Sequence, residues 1–145
     1  MMKKRKLWTL ILALVVIIGG ITMFTLNQKM TENQQKRELE TSIAKLLVHD
    51  YENVKEIEFK GWGYSRETGT WGTTVIVNAN SQINLSFSGL STLKEIYSIR
   101  YNPSTFKLKE KVNIERLEPI KDRVTEIESV SLNDIEVKHS IKLGE

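Results

Sequence analysis

VKEIEFKGWGYSRETGTWGTTVIVNANSQINLSF, residues 54–87, is the stretch on which the fold turns. Ile57 and Phe59 alternate with Glu56, Glu58 and Lys60, the period of two expected of a strand with one wet face. Trp71, Thr73, Val75 and Val77 alternate in the same way with Gly72, Thr74 and Ile76, and Ile83, Leu85 and Phe87 repeat the pattern. A glycine-rich segment with a turn over residues 65–69 separates the first two runs. Asn78-Ala79-Asn80-Ser81, a turn signal, separates the second from the third. Residues 96–101 are a fourth strand candidate, closed by Asn102-Pro103-Ser104, because proline cannot donate to a ladder. Strands joined by turns this short predict an antiparallel meander.

Upstream the period changes. Thr31 is an N-cap candidate with Gln34 in capping-box position, and Leu39, Ile43, Leu46 and Leu47 then trace one face of an amphipathic helix over 32–49. Its opening residues, ENQQKRE, are polar all round, so 27–38 reads as a solvated stalk and 39–145 as the folded domain. Downstream, Leu117, Ile120, Val124 and Ile127 predict a short helix near 119–128, with Pro119 in a first-turn position. Leu132, Ile135, Val137 and Ile141 suggest a closing strand or hairpin. The expected class is α+β, with a helix covering the apolar face of the meander.

Farther upstream lies LWTLILALVVIIGGITMFTL, residues 7–26, without a single charge. At about 1.5 Å per residue such a helix spans roughly 30 Å, the hydrocarbon thickness of a bilayer. Lys3, Lys4, Arg5 and Lys6 abut it, which predicts a cytoplasmic tail over 1–6, one membrane span, and an extracytoplasmic remainder. A cleaved secretory peptide has the same polarity but a shorter apolar core and an A-x-A-like end. No alanine occurs between Ala13 and Ala44, so the reading is an uncleaved signal-anchor in the cell membrane.

The anchor also accounts for the charge. The chain has 21 Lys+Arg against 18 Asp+Glu; setting aside residues 3–6 leaves 17 basic against the same 18 acidic, a formal −1. The net +3 is therefore a topology signal, and no nucleic-acid partner is expected. The 119 residues from 27 to 145 suffice for one core. With zero cysteines, disulfides, thiol catalysis and thiolate metal sites are excluded together.

Catalytic patterns are sparse. His49 and His139 lack the spacing of a ligand pair on one helix, so no metal is expected, nor any cofactor. No G-x-S-x-G, S-x-x-K or phosphate-binding glycine loop occurs. Glu56 and Glu58 share a strand face, which keeps a small envelope enzyme acting on glycan as an alternative. The distinctive cluster is Trp62, Tyr64 and Trp71 around a turn bearing Arg66 and Glu67. Trp71 is expected to head a buried face. Trp62 and Tyr64 lie opposite Ile57 and Phe59 unless a bulge intervenes at Gly61 or Gly63. Exposed aromatics beside arginine suit a protein-binding hot spot, so Trp62, Tyr64, Arg66 and Trp71 are the candidate binding residues.

FKGWGYSRETGTWGTTVIVN followed by YNPSTFKLKE resembles small exported or membrane-anchored proteins of Gram-positive bacteria, over about residues 40–110. The resemblance implies an envelope location and transfers no catalytic residue. Such proteins are often lipid-anchored through a cysteine, which this chain lacks, so its anchor would be the helix. Anchored proteins of similar architecture include immunity factors against secreted toxins, which stands as a second alternative by analogy. The expectation is a single-pass envelope protein that binds another envelope protein without catalysis.

Overall fold

The computed structural model of the protein describes residues 31–111 and 119–142. The span expected over 7–26 and Leu117 lie outside them. Among the described residues, no helix is long and apolar enough to cross a membrane.

Helix α1 (Glu32–Asp50) opens with the expected capping box: Gln34 N–H donates to Thr31 Oγ1 at 3.1 Å, and Thr31 N–H donates to Gln34 Oε1 at 2.8 Å. These reciprocal bonds satisfy amides that have no partner inside the helix. Leu39, Ile43, Leu46 and Leu47 are all buried, as their spacing requires. The polar beginning is less detached than a stalk. Lys36 lies over the Trp71 ring at 4.8 Å, and Arg37 Nη1 donates to the Ile141 carbonyl at 2.9 Å.

Strands β1 (Glu56–Ser65), β2 (Thr70–Val77), β3 (Ser81–Phe87) and β4 (Ile96–Tyr101) form the antiparallel meander. A short strand β5 (Glu136–Lys138) then pairs parallel with β1, giving the order β4-β3-β2-β1-β5. Asn78 stitches the sheet to its entry loop. Its Oδ1 accepts the Lys55 and Glu56 amides at 2.8 and 3.1 Å, and its Nδ2 donates to the Asn53 carbonyl at 2.8 Å. The core lies between α1 and the sheet face bearing Ile57, Phe59, Val75, Val77, Ile83, Leu85 and Phe87.

The return segment contains a 3-10 turn (Ile120–Asp122), helix α2 (Val124–Glu128) and β5, close to the expected short helix and closing strand. Its one fully buried apolar residue among those described is Ile127, and polar bonds do much of the fastening. Ser42 donates to Glu128, Lys45 Nζ donates to the Glu128 carbonyl at 3.0 Å, and Arg123 Nη1 donates to Asp50 Oδ1 at 3.0 Å.

The register of β1 against β2 slips by one residue between Phe59 and Trp62. Side chains alternate faces along a strand, so one extra residue returns Trp62 and Tyr64 to the face of Ile57 and Phe59. The bulge that sequence left open is therefore present, and Gly61 occupies it at φ +122°. Side-chain-bearing residues rarely adopt that angle, although space is not limiting there. Gly61→Ala is expected to cost about 1–3 kcal/mol through backbone strain alone. Gly63→Ala, at an ordinary φ and with nothing within 4 Å of the added carbon, should leave the thermal midpoint nearly unchanged. Equal losses from the two variants would remove strain as the reason for Gly61.

Candidate functional site

The β1–β2 hairpin carries the aromatic cluster at its tip. The turn closes through Gly69 N–H to the Ser65 carbonyl at 2.8 Å, with Gly69 at φ +70°. Tyr64 and Trp71 are cross-strand partners whose rings meet at 4.8 Å and 51°. Tyr64 keeps 52% of its surface exposed, while Trp71 is half-buried between it and the Lys36 ammonium. Arg66 is exposed at the tip. On the opposite sheet face Gly63 pairs with Gly72, leaving bare backbone beside a depression of about 340 Å³ that Lys60, Thr74, Asn84 and Ser86 line.

Trp62 is placed differently. Its ring packs against Phe87 at 6.0 Å, and its Nε1–H donates to Glu40 Oε2 at 2.9 Å. Of the four candidate residues, the structure thus gathers Tyr64, Trp71 and Arg66 at one end of the hairpin and turns Trp62 toward the helix. Trp71 heads the core-facing side of β2, opposite Phe87, and is partly buried against the core.

The partner of Trp62 escaped the reading of the sequence. Glu40 is fully buried. It receives the Trp62 indole, His139 Nδ1–H at 2.9 Å, the Ser140 amide at 3.1 Å and the Ser140 hydroxyl. Four donors converging on two oxygens satisfy a group that would otherwise be costly to remove from water. A signal was present: Glu40 lies three and four residues before Ile43 and Ala44, on the apolar stripe itself. His139 also stacks on Phe59 at 6.0 Å and 11°.

His49 and His139 are not brought together as a metal pair; each bonds to its own carboxylates. Among the described residues, no group of three or more His, Asp or Glu is arranged to hold a metal ion. Glu56 and Glu58 lie on the open sheet face, where Lys138 Nζ reaches Glu56 at 2.8 Å and Lys60 Nζ reaches Glu58 at 3.5 Å. Both carboxylates thus carry cationic neighbours, and these also raise the Lys138 ammonium above its ordinary value.

His49 Nδ1 meets Asp50 Oδ1 at 2.7 Å and its Nε2 meets Glu126. The hydrogen bond to Asp50 chiefly raises its pKa above the ordinary 6.5, against an opposing effect of burial and with Glu126 adding to the rise. A raised value means the folded state holds the proton more tightly. The stabilisation is complete below pH 6.5 and is lost as pH rises through the higher folded value. Wild type should therefore lose more stability than His49→Gln between pH 6 and pH 8.5, and an NMR titration should place the His49 midpoint above 6.5. Parallel pH profiles for the two proteins would remove His49 as the source.

No family model matches the chain, and no curated protein or solved structure matches it.

Proposed function

We propose that this chain is a single-pass, membrane-anchored binding module of the bacterial cell envelope. Residues 7–26 anchor it, its folded domain lies outside the membrane, and the β1–β2 hairpin tip engages another envelope protein. The observation that carries the reading is the half-exposed Tyr64 ring, held on Trp71 beside Arg66. Aromatic rings preordered by packing lose little entropy on binding, and arginine supplies donors with little penalty of desolvation. The bare Gly63–Gly72 backbone on the reverse side lets a partner close on both faces of the hairpin.

Function here needs no catalysis. Glu56 and Glu58 bond to lysines on an open face, an arrangement suited to a solvated sheet surface. The test is crosslinking of the anchored protein in its native envelope, followed by identification of the captured partner. Tyr64→Ala and Arg66→Ala should each lower capture more than tenfold, since a hot-spot side chain contributes about 2 kcal/mol. Their melting temperatures should stay within about 1–2 °C of wild type, because both side chains are largely exposed. Capture that is indifferent to both changes would eliminate the hairpin tip as the recognition surface.

A further inference from the structure

A recess of about 500 Å³ lies where α1, the loop 88–95 and α2 meet. The first helix lines it with a polar stripe. Glu38, Thr41, Ser42 and Lys45 stand at i, i+3, i+4 and i+7, so they share one face of α1. Glu128 of α2 and Ser91 and Thr92 of the loop form the facing walls.

These walls are fixed by bonds within the protein. Ser42 and Lys45 both donate to Glu128, which ties α2 to the stripe. Ser88 N–H donates to the Glu95 carbonyl at 2.8 Å and closes the loop. Inside it Glu95 Oε1 accepts the Ser91 hydroxyl and, at 2.9 Å, the Ser91 amide. Those bonds, the hydroxyl's above all, hold the Glu95 carboxyl below its ordinary value. Gly89 lies against that carboxylate, where an added Cβ would strike it.

The bonds already made determine what the recess can offer. A hydroxyl has one proton and two lone pairs. Thr41 gives its proton to the Arg37 carbonyl at 3.3 Å, Ser42 to Glu128 and Ser91 to Glu95. All three therefore meet a ligand as acceptors. The Lys45 ammonium is matched by the Glu128 carboxylate at 3.6 Å. Glu38, exposed at the N-terminal end of the stripe, has no partner among the described residues.

We propose that this recess binds a small amine carrying several further O–H or N–H donors, such as an amino sugar. Its ammonium sits on Glu38 and its other donors meet Thr41 and Ser42. An anionic ligand would set its charge against two carboxylates, and a ligand with acceptors alone would find few protons to receive. The volume lies within the range of small-molecule sites, and Leu39 and Val124 supply apolar surface for the CH groups of such a ligand. The proposal is independent of the hairpin reading.

The test titrates the full-length chain, in detergent micelles, with glucosamine, N-acetylglucosamine and spermidine, and follows backbone amides by NMR. Glucosamine should saturate, with shifts centred on residues 41–45 and 91–92. N-acetylglucosamine, the same ring without the charge, should bind at least about tenfold more weakly. Tighter binding of spermidine would support the same amine chemistry on a chain in place of a ring. Glu38→Gln should weaken glucosamine binding about tenfold, and Thr41→Val, close in shape, about threefold. Circular dichroism melts check that both variants are folded. Three results would overturn the proposal: no saturation by either amine, equal affinity for the two sugars, or binding indifferent to Glu38→Gln.

Discussion

Glu40→Ala should lower stability by about 3–5 kcal/mol and free β5 from its place beside β1. The carboxyl group is fully buried and is the common acceptor of Trp62, His139 and Ser140. Removing it leaves several donors facing a small apolar hole, each losing the bond that offset its desolvation. Glu40→Gln is the milder change: it keeps the volume and one acceptor but turns an amide donor toward a group that is itself a donor. The order of stability by urea denaturation should be wild type, Gln, then Ala. Amide exchange should quicken at Val137 and Ser140 before it does in β3, because β5 is held by this bond set and three ladder positions. An alanine variant as stable as wild type, or exchange that quickens uniformly, would show that Glu40 does not clasp the C-terminal segment.

The Asp50–Arg123 pair should give a loss of similar size with a different signature. Asp50 at the end of α1 and Arg123 before α2 are both buried, and Asp50 Oδ1 takes both the Arg123 guanidinium at 3.0 Å and His49 Nδ1 at 2.7 Å. Asp50→Ala takes this counter-charge from a buried guanidinium, and removing one partner of a buried pair costs about 3–5 kcal/mol. Removing both charges together should cost less than the sum of the single losses. A double-mutant cycle over Asp50→Leu and Arg123→Met should therefore show a coupling of about 1–3 kcal/mol. Additive losses would mean that the two side chains contribute separately. Asp50→Ala should also lower the His49 titration midpoint, since the bond to Asp50 is its largest raising influence.

The hairpin shows how a single residue can decide what a pattern means. Period-two alternation before and after residues 60–61 is equally regular, yet the two halves of β1 belong to one face only because Lys60-Gly61 inserts an extra residue. Sequence marks the place, since glycine in a strand signals a bulge, but whether the chain takes it depends on what each alternative buries. With the bulge, Trp62 meets both Phe87 and Glu40. Trp62 becomes a supporting tryptophan, Trp71 stays partly buried against the core beneath Tyr64, and the exposed aromatic of the hairpin is the tyrosine.

What the sequence determined by itself are the elements whose causes are local. The Thr31–Gln34 capping box, the apolar face of α1, the turns at 65–69 and 78–81, and the bounds of β4 all follow from residues within a few positions of one another. The α+β class and the antiparallel meander come with them, because short turns leave neighbouring strands little choice but to pair. Tertiary structure alone decided that β5 joins β1 in parallel and that Glu40 clasps Ser140 across 100 residues. It alone set Asp50 on Arg123 across 73. Such contacts link groups whose sequence separation carries no periodic signal. They form because a polar group taken out of water by one part of the chain has to find its partner wherever the fold brings one within reach.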